Sequence, residues 1–379
     1  MFFALFQACV DEPDGSVRAP AGETDADADT DTDTDTDSDS DADSDADADP
    51  VTTCEALSDA RGRCAVRGAW AMVDGETTTQ GGTETWAFTT EALSPGVSFD
   101  GLVASWNAAT PTGTWVQVEV EARVGGSWTS PYVLGVWASG TETIERHSVD
   151  GQSDQQGTVY TDTLYLENEA DAARITLRLY ATGASRPTAS RLTIAVADTS
   201  RDNRGEVRGT ANGIDLAVPS RSQMEFDEGE AWCSPTTISM MMDFHGVDVS
   251  VPEAAEGTWD YTYEGNGNWP FNTAYAASEG LVAEVGWFDS LAQIEDEIVA
   301  GRPVAISAAW SNGDIDNAAI SSTSGHLLLI DGFTPGGDVY VNDPAAQTSG
   351  EVSRVYTRSQ IEAAWLDGSG GVVYRMWQE

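Results

Sequence analysis

Basic side chains are scarce in this chain: 18 Lys and Arg stand against 63 Asp and Glu among 379 residues, a formal net charge of −45. A surface of that sign repels phosphate backbones, and no basic patch or basic-aromatic interleaving offsets it, so nucleic acid is not expected as a partner. Long apolar runs are lacking too. None approaches the ~18 residues that cross a bilayer, which confines any membrane contact to the extreme N-terminus. Cysteines number four and histidines three, so chemistry that uses either has few candidates. The length suits two globular domains plus a tail.

Part of the acidic excess is local, because 13 Asp residues alternate with Ala, Thr or Ser along residues 25–49. Neither set of alternate positions is apolar enough to bury, and like charges two apart would share one face of a strand. Residues 10–50 are therefore expected to be a disordered Asp-rich spacer. A calcium site is the weaker alternative, since calcium loops wrap the ion with glycine turns that this tract lacks. Ahead of it, MFFALFQAC resembles the end of a bacterial lipoprotein signal, with Ala8 before Cys9, although Phe6 replaces the usual Leu and no basic residue precedes the apolar stretch. Residues 1–9 are expected to be a truncated signal of a secreted or cell-surface lipoprotein, with Cys9 carrying the lipid and the true start lying upstream.

Cys54 and Cys64 flank nine residues at the head of the first folded region, a spacing that suits a local disulfide in an exported protein. That leaves Cys233 as the expected unpaired, reactive thiol, the alternative being a small buried hydrophobe. Between residues 51 and 199 short alternating runs recur, among them WVQVEVEARV, ARITLRLYA and RLTIAVAD. They are broken by Gly, Pro, Ser and Asp and predict an all-β, jelly-roll-like sandwich. Its tryptophans (Trp70, Trp86, Trp106, Trp115, Trp128, Trp137) are expected in the core more than on a platform for a surface glycan.

Residues 200–213 are polar and read as a linker, and the pattern changes after them. Helical spacing runs from Thr236 to His245, from Asp289 to Ala300 and from Ser359 to Leu366, while PVAISAAW, HLLLIDGF, DVYVNDPA and GVVYRMW read as strands. Residues 214–379 are thus an α+β domain. Cys233 sits just before the first helix, where backbone N–H groups and the helix dipole lower a thiol pKa. Of the histidines, His147 falls in the sandwich and His245 lies at the far end of the same helix, ~18 Å away at 1.5 Å per residue, which leaves His326 as base. If HLLLIDGF and DVYVNDPA pair as a hairpin joining Phe333 to Asp338, then Asp343 lies opposite Leu328 and on the His326 face. Asp343 is the expected orienter, and Asn342 points the other way. Gln223, ten residues before Cys233, can add its amide to an oxyanion hole, the alternative being a solvated loop residue.

The stretches GEAWCSPTTISMMM, GNGNWPFNTAYAA, GHLLLIDGF and GDVYVNDPA resemble the peptidase family thirty-nine-like group of the papain clan, related to bacteriocin leader peptidases that cut after double glycine. The order of a WNAATPTGTW sandwich and this domain resembles secreted bacterial members of that group. The resemblance implies a papain-like fold and a cysteine peptidase, with Cys233 as nucleophile, His326 as general base and acid, Asp343 as orienter and Gln223 in the oxyanion hole. A peptide or protein substrate is implied, and no cofactor or metal. A papain-like amidase or acyltransferase on cell-wall peptides, and a non-catalytic binding protein, are the alternatives.

Overall fold

The computed structural model describes residues 49–73 and 75–379. Cys9, the signal-like segment and the acidic tract up to residue 48 lie outside the described residues, and so do the expectations placed on them.

The alternating runs form β1 (Val51–Ala56), β2 (Arg61–Ala71), β3 (Thr78–Gln80), β4 (Thr83–Thr89), β5 (Phe99–Ala109), β6 (Thr114–Val124), β7 (Ser127–Trp128), β8 (Tyr132–Trp137), β9 (Gly157–Tyr160), β10 (Thr163–Ala181) and β11 (Thr188–Ala197). The strands expected for a sandwich are present, but they join into one curled sheet in the order β1, β2, β11, β5, β10, β4, β3, with β6 and β9 also on β10. The 19-residue β10 makes the curl. Its start pairs with β5 on one side and β9 on the other, and its end pairs with β4 and β6. Ala170, flanked by irregular pairings, meets both Phe99 and Val124, and irregular pairing of this kind bends a strand. Ile175, Leu177 and Leu179 are buried while Arg174, Thr176, Arg178 and Tyr180, which alternate with them, are partly exposed, the period-two burial of a one-sided sheet. Trp70, Trp106 and Trp137 are buried in the core. Trp115 instead stacks on Tyr180 at 5.0 Å, and the Arg174 guanidinium lies 4.6 Å over Trp128.

The second part contains α1 (Cys233–Phe244), α2 (Val251–Thr258), α3 (Trp269–Ser278), β12 (Val282–Trp287), α4 (Leu291–Val299), β13 (Val304–Trp310), β14 (Thr323–Phe333), β15 (Val339–Asn342), β16 (Ser353–Tyr356), α5 (Arg358–Ser369) and β17 (Val372–Trp377). Its six-stranded antiparallel sheet runs β12, β17, β13, β14, β15, β16. Leu327 and Leu329 of β14 pack in a core with residues of α1, and Leu328 and Ile330 pack in another with residues of α4 and α5. Burial on both faces explains why this strand reads as an unbroken apolar run. The three helices expected from spacing are there, with α1 beginning three residues earlier than Thr236. The helices α2 and α3 were not among the expected elements, although Ser250 and Glu253 make a capping box at α2 and Asn268 caps α3.

The expected linker is a strap. The N–H groups of Gly205 and Thr210 donate to Glu362 and Glu295, Ala211 is fully buried, and Gly213 donates to the Phe333 carbonyl. The two parts also share core. Phe271 and Ala274 of α3 insert into the hydrophobic interior of the curled sheet, where Phe271 meets Trp106 edge-on. Gly135 leaves room for that contact, since a Cβ there would stand 2.7 Å from Trp106 and 3.0 Å from Phe271. Fully buried Glu284 of β12 also joins the two parts, accepting hydrogen bonds from Arg63 and Arg191 of the sheet and from Arg375 of β17. Burial alone would raise its pKa, but Arg375 and Arg63 hold it lowered, so the carboxylate stays charged.

Candidate active site

Cys233 is the first residue of α1 and is buried. Thr237, one turn on and therefore on the same helix face, donates its hydroxyl to the carbonyl of Leu327 at 3.2 Å. Leu327 follows His326, so this bond pins the start of α1 over the histidine end of β14. The thiol itself differs from expectation. No free cysteine is recorded among the described residues, and Cys233 is disulfide-bonded, as is the expected pair Cys54 and Cys64 across β1 and β2.

His326 Nε2 lies 2.8 Å from Asp343 Oδ1, and both side chains are buried. The strand register behind this contact is reached by an unexpected route. Phe333 pairs with Val339, not with Asp338, and a bulge between Ile330 and Gly332 then shifts the ladder by one so that Leu329 faces Asn342. Continuing that ladder sets Asp343 beside Leu328, as the hairpin argument required. The Asn342 amide turns away and donates to the carbonyls of Val218 and Pro219.

The surroundings of Asp343 keep it ionised. Burial alone would raise its pKa, but His326, the Tyr356 hydroxyl at 2.6 Å and the Ala345 N–H at 3.0 Å hold it lowered. An ionised carboxylate only accepts, so the imidazole proton belongs on Nε2 and Nδ1 is left as the basic nitrogen. Trp310 meets the imidazole edge-on with ring centres 5.6 Å apart. Tyr356 and Trp310 had no local sequence signal: Tyr356 comes from a third strand beside the hairpin and Trp310 from the end of β13.

Gln223 is buried, and its position differs from that of a ready oxyanion donor. Its amide nitrogen donates to the carbonyls of Gly229 and Glu230 at 2.8 and 3.0 Å, while its buried Oε1 has no partner. The turn that supplies those carbonyls passes close, since a Cβ on Gly229 would stand 1.7 Å from the Gln223 carbonyl oxygen. Among the described residues no group of three or more side chains is placed to hold a metal ion, and no helix is long and apolar enough to cross a membrane.

Residues 51–197 match the Peptidase C39 N-terminal domain and residues 215–371 match the Peptidase C39 like family. No curated protein matches the chain. Among solved structures, a candidate C39-like peptidase from Bacillus anthracis is similar at 15% identity and a TM-score of 0.33, covering 43% of this chain and 96% of that one. A double glycine motif protease from an AMS/PCAT transporter, in complex with the leader peptide, is similar at 16% identity and a TM-score of 0.29, covering 44% of this chain and 94% of that one. With one match to the curled sheet and another to the part that carries Cys233, His326 and Asp343, this chain belongs to the C39-like cysteine peptidase family.

Proposed function

We propose that the protein hydrolyses peptide bonds in exported or surface-exposed peptides, with Cys233, His326 and Asp343 as its catalytic triad. The observation that carries this reading is the buried 2.8 Å contact between His326 and an ionised Asp343, with the start of α1 fastened to the same strand end. Papain-like chemistry follows from that arrangement. His326 Nδ1 takes the thiol proton, the thiolate attacks the peptide carbonyl, and the protonated imidazole gives the proton to the leaving amine. Water, deprotonated by the same nitrogen, then cleaves the thioester and restores the thiol. The backbone N–H of Cys233, at a helix position where the helix itself offers no acceptor, stabilises the oxyanion, and Gln223 joins it once its amide releases a carbonyl of the Gly229 turn.

Because Cys233 is disulfide-bonded, the working form is the reduced one. The Cys54 to Cys64 disulfide supports the exported setting. In that setting a soluble reductant or a thiol-disulfide exchange partner must release the nucleophile before turnover. The test is labelling by a peptidyl electrophile that traps thiolates, with the site mapped by mass spectrometry. Label is expected on Cys233 only after reduction, and in His326→Ala it should fall by ~10-fold or more. Equal labelling of wild type, His326→Ala and a model thiol peptide would overturn the mechanism.

A further inference from the structure

We propose that Asp162, contributed by the curled sheet, is a positioning residue for the Cys233 nucleophile and acts through the start of α3. The proposal rests on the triad reading above and gives the first half of the chain a part in the chemistry. Asp162 occupies the turn between β9 and β10 and is 5% exposed. Thr161 before it has φ 55°, a left-handed conformation that a β-branched residue resists. Such strain persists only where surrounding contacts over-determine it. Here it aims the carboxylate out of the sheet and into the other half of the molecule.

Asp162 Oδ2 accepts the backbone N–H of Trp269, the first residue of α3, at 2.6 Å, while Oδ1 accepts from the Thr163 hydroxyl at 2.9 Å. A helix start leaves its first N–H groups without intrahelical acceptors, and a carboxyl oxygen there supplies one. A second buried carboxylate braces the same end: Asp260 Oδ1 accepts from Ser148 N–H of the first part, and its Oδ2 accepts from the Asn268 cap. From this fixed end the contact passes through Asn272 to the residue beside the nucleophile. Asn272 holds the carbonyls of Asn266 and Asn268 through its amide nitrogen, and its Oδ1 accepts from the Ser234 hydroxyl at 2.9 Å. Ser234 is the neighbour of Cys233, and its hydroxyl also lies 3.3 Å from the buried Tyr374 hydroxyl. The relay Asp162, Trp269, Asn272, Ser234 thus ties the angle at which α1 presents Cys233 to a side chain more than 70 residues earlier in the chain.

Packing does not require this relay, because Phe271 already anchors α3 in the sheet. A positioning role and a merely structural one therefore separate experimentally. In the reduced full-length chain, Asp162→Ala should lower both kcat and the iodoacetamide alkylation rate of Cys233 by ~10-fold, the scale on which small misplacements act, with KM unchanged. Asp162→Asn, which still offers an oxygen to the Trp269 N–H, should recover most of both. Loss of melting temperature in Asp162→Ala with kcat and alkylation intact would reduce Asp162 to a structural brace and overturn the proposal. Should Asp162→Ala fail to fold, Ser234→Ala decides, since it cuts the relay further along and an unchanged alkylation rate overturns the idea. Alkylation needs no peptide cleavage, so a wild type that alkylates at Cys233 but cuts no peptide counts against the triad reading alone.

Discussion

At the scale of single residues, the pair His326 and Asp343 depends on everything that keeps the carboxylate charged and aimed. Asp343→Asn keeps the shape but offers Nε2 a group that no longer holds the imidazole in the working tautomer. We expect normal folding and a kcat lower by on the order of 10²-fold or more, measured by steady-state turnover beside a circular dichroism melt. Asn342→Asp added to it should not restore turnover, because that side chain turns toward Val218 and Pro219. Tyr356→Phe removes the hydroxyl that donates to Asp343 and accepts from the Ala319 N–H. Leaving those buried groups short of a partner should cost about 1–3 kcal/mol in urea unfolding, with a smaller loss of kcat than in Asp343→Asn.

Elements behave differently, because their placement depends on contacts between distant segments. Glu284 on β12 pairs with three arginines drawn from β2, β11 and β17. Glu284→Ala would leave Arg191 without its carboxylate while Arg63 and Arg375 keep only Glu55 and Glu297, and a loss of about 3–5 kcal/mol in denaturant midpoint analysis is expected. Residues 214–379 expressed alone should expose Phe271 and fail to give a cooperative melt. Much at this scale was legible in the sequence. The run HLLLIDGF announced a strand covered on both faces, and its pairing with DVYVNDPA was legible, with Asp343 reaching the His326 side only because a bulge offsets the one-residue difference at the turn. The bulge that corrects the register was not legible, since a one-residue slip between turn and strand leaves no mark in composition. Nor was the curl of β10: alternation says which side chains face inward and is silent on where a 19-residue strand exchanges neighbours. The strap at 200–213 looked like a linker because its partners, among them Asp289, Glu295, Phe333, Glu362 and Asp367, lie far along the chain. Gln223 was legible as a candidate by its spacing from Cys233, while the bonds of its amide to Gly229 and Glu230 depend on a turn that no periodicity encodes.

For the whole molecule, two sets of carboxyl groups pull stability in opposite directions with pH. Burial pushes Asp162 and Asp331 up to about 7, so each keeps its proton in the folded state after the unfolded chain has lost it. Their contribution is complete below the ordinary Asp pKa and is lost as pH rises through about 7. Asp343, Glu284 and Glu297 are held lowered, so their contribution is present above the ordinary carboxyl range and is lost as pH falls through their folded values. The large negative charge adds self-repulsion at higher pH. The melting temperature should therefore peak at mildly acidic pH, about 5, and decline toward 8. Asp331→Asn should flatten that decline, as read by calorimetry across pH; a peak at 8 or above in wild type would contradict the assignment.

The insertion of Phe271 between Trp106 and Gly135 also fixes an order of events during synthesis. The curled sheet is complete once residue 197 has been made, while the side chain that seals its interior arrives only some 70 residues later. Until then the sheet presents an open apolar socket, a sticky intermediate of the sort that aggregates or recruits a chaperone. The bonds that close the molecule are longer-range still, with Arg61 reaching the Gly370 carbonyl across 309 positions. Loop closure over such separations is slow, so the last step of maturation waits for nearly the whole chain. A circular permutant that synthesises residues 214–379 first would release α3 with no socket to enter, and its refolding in vitro should proceed while its yield from cells falls.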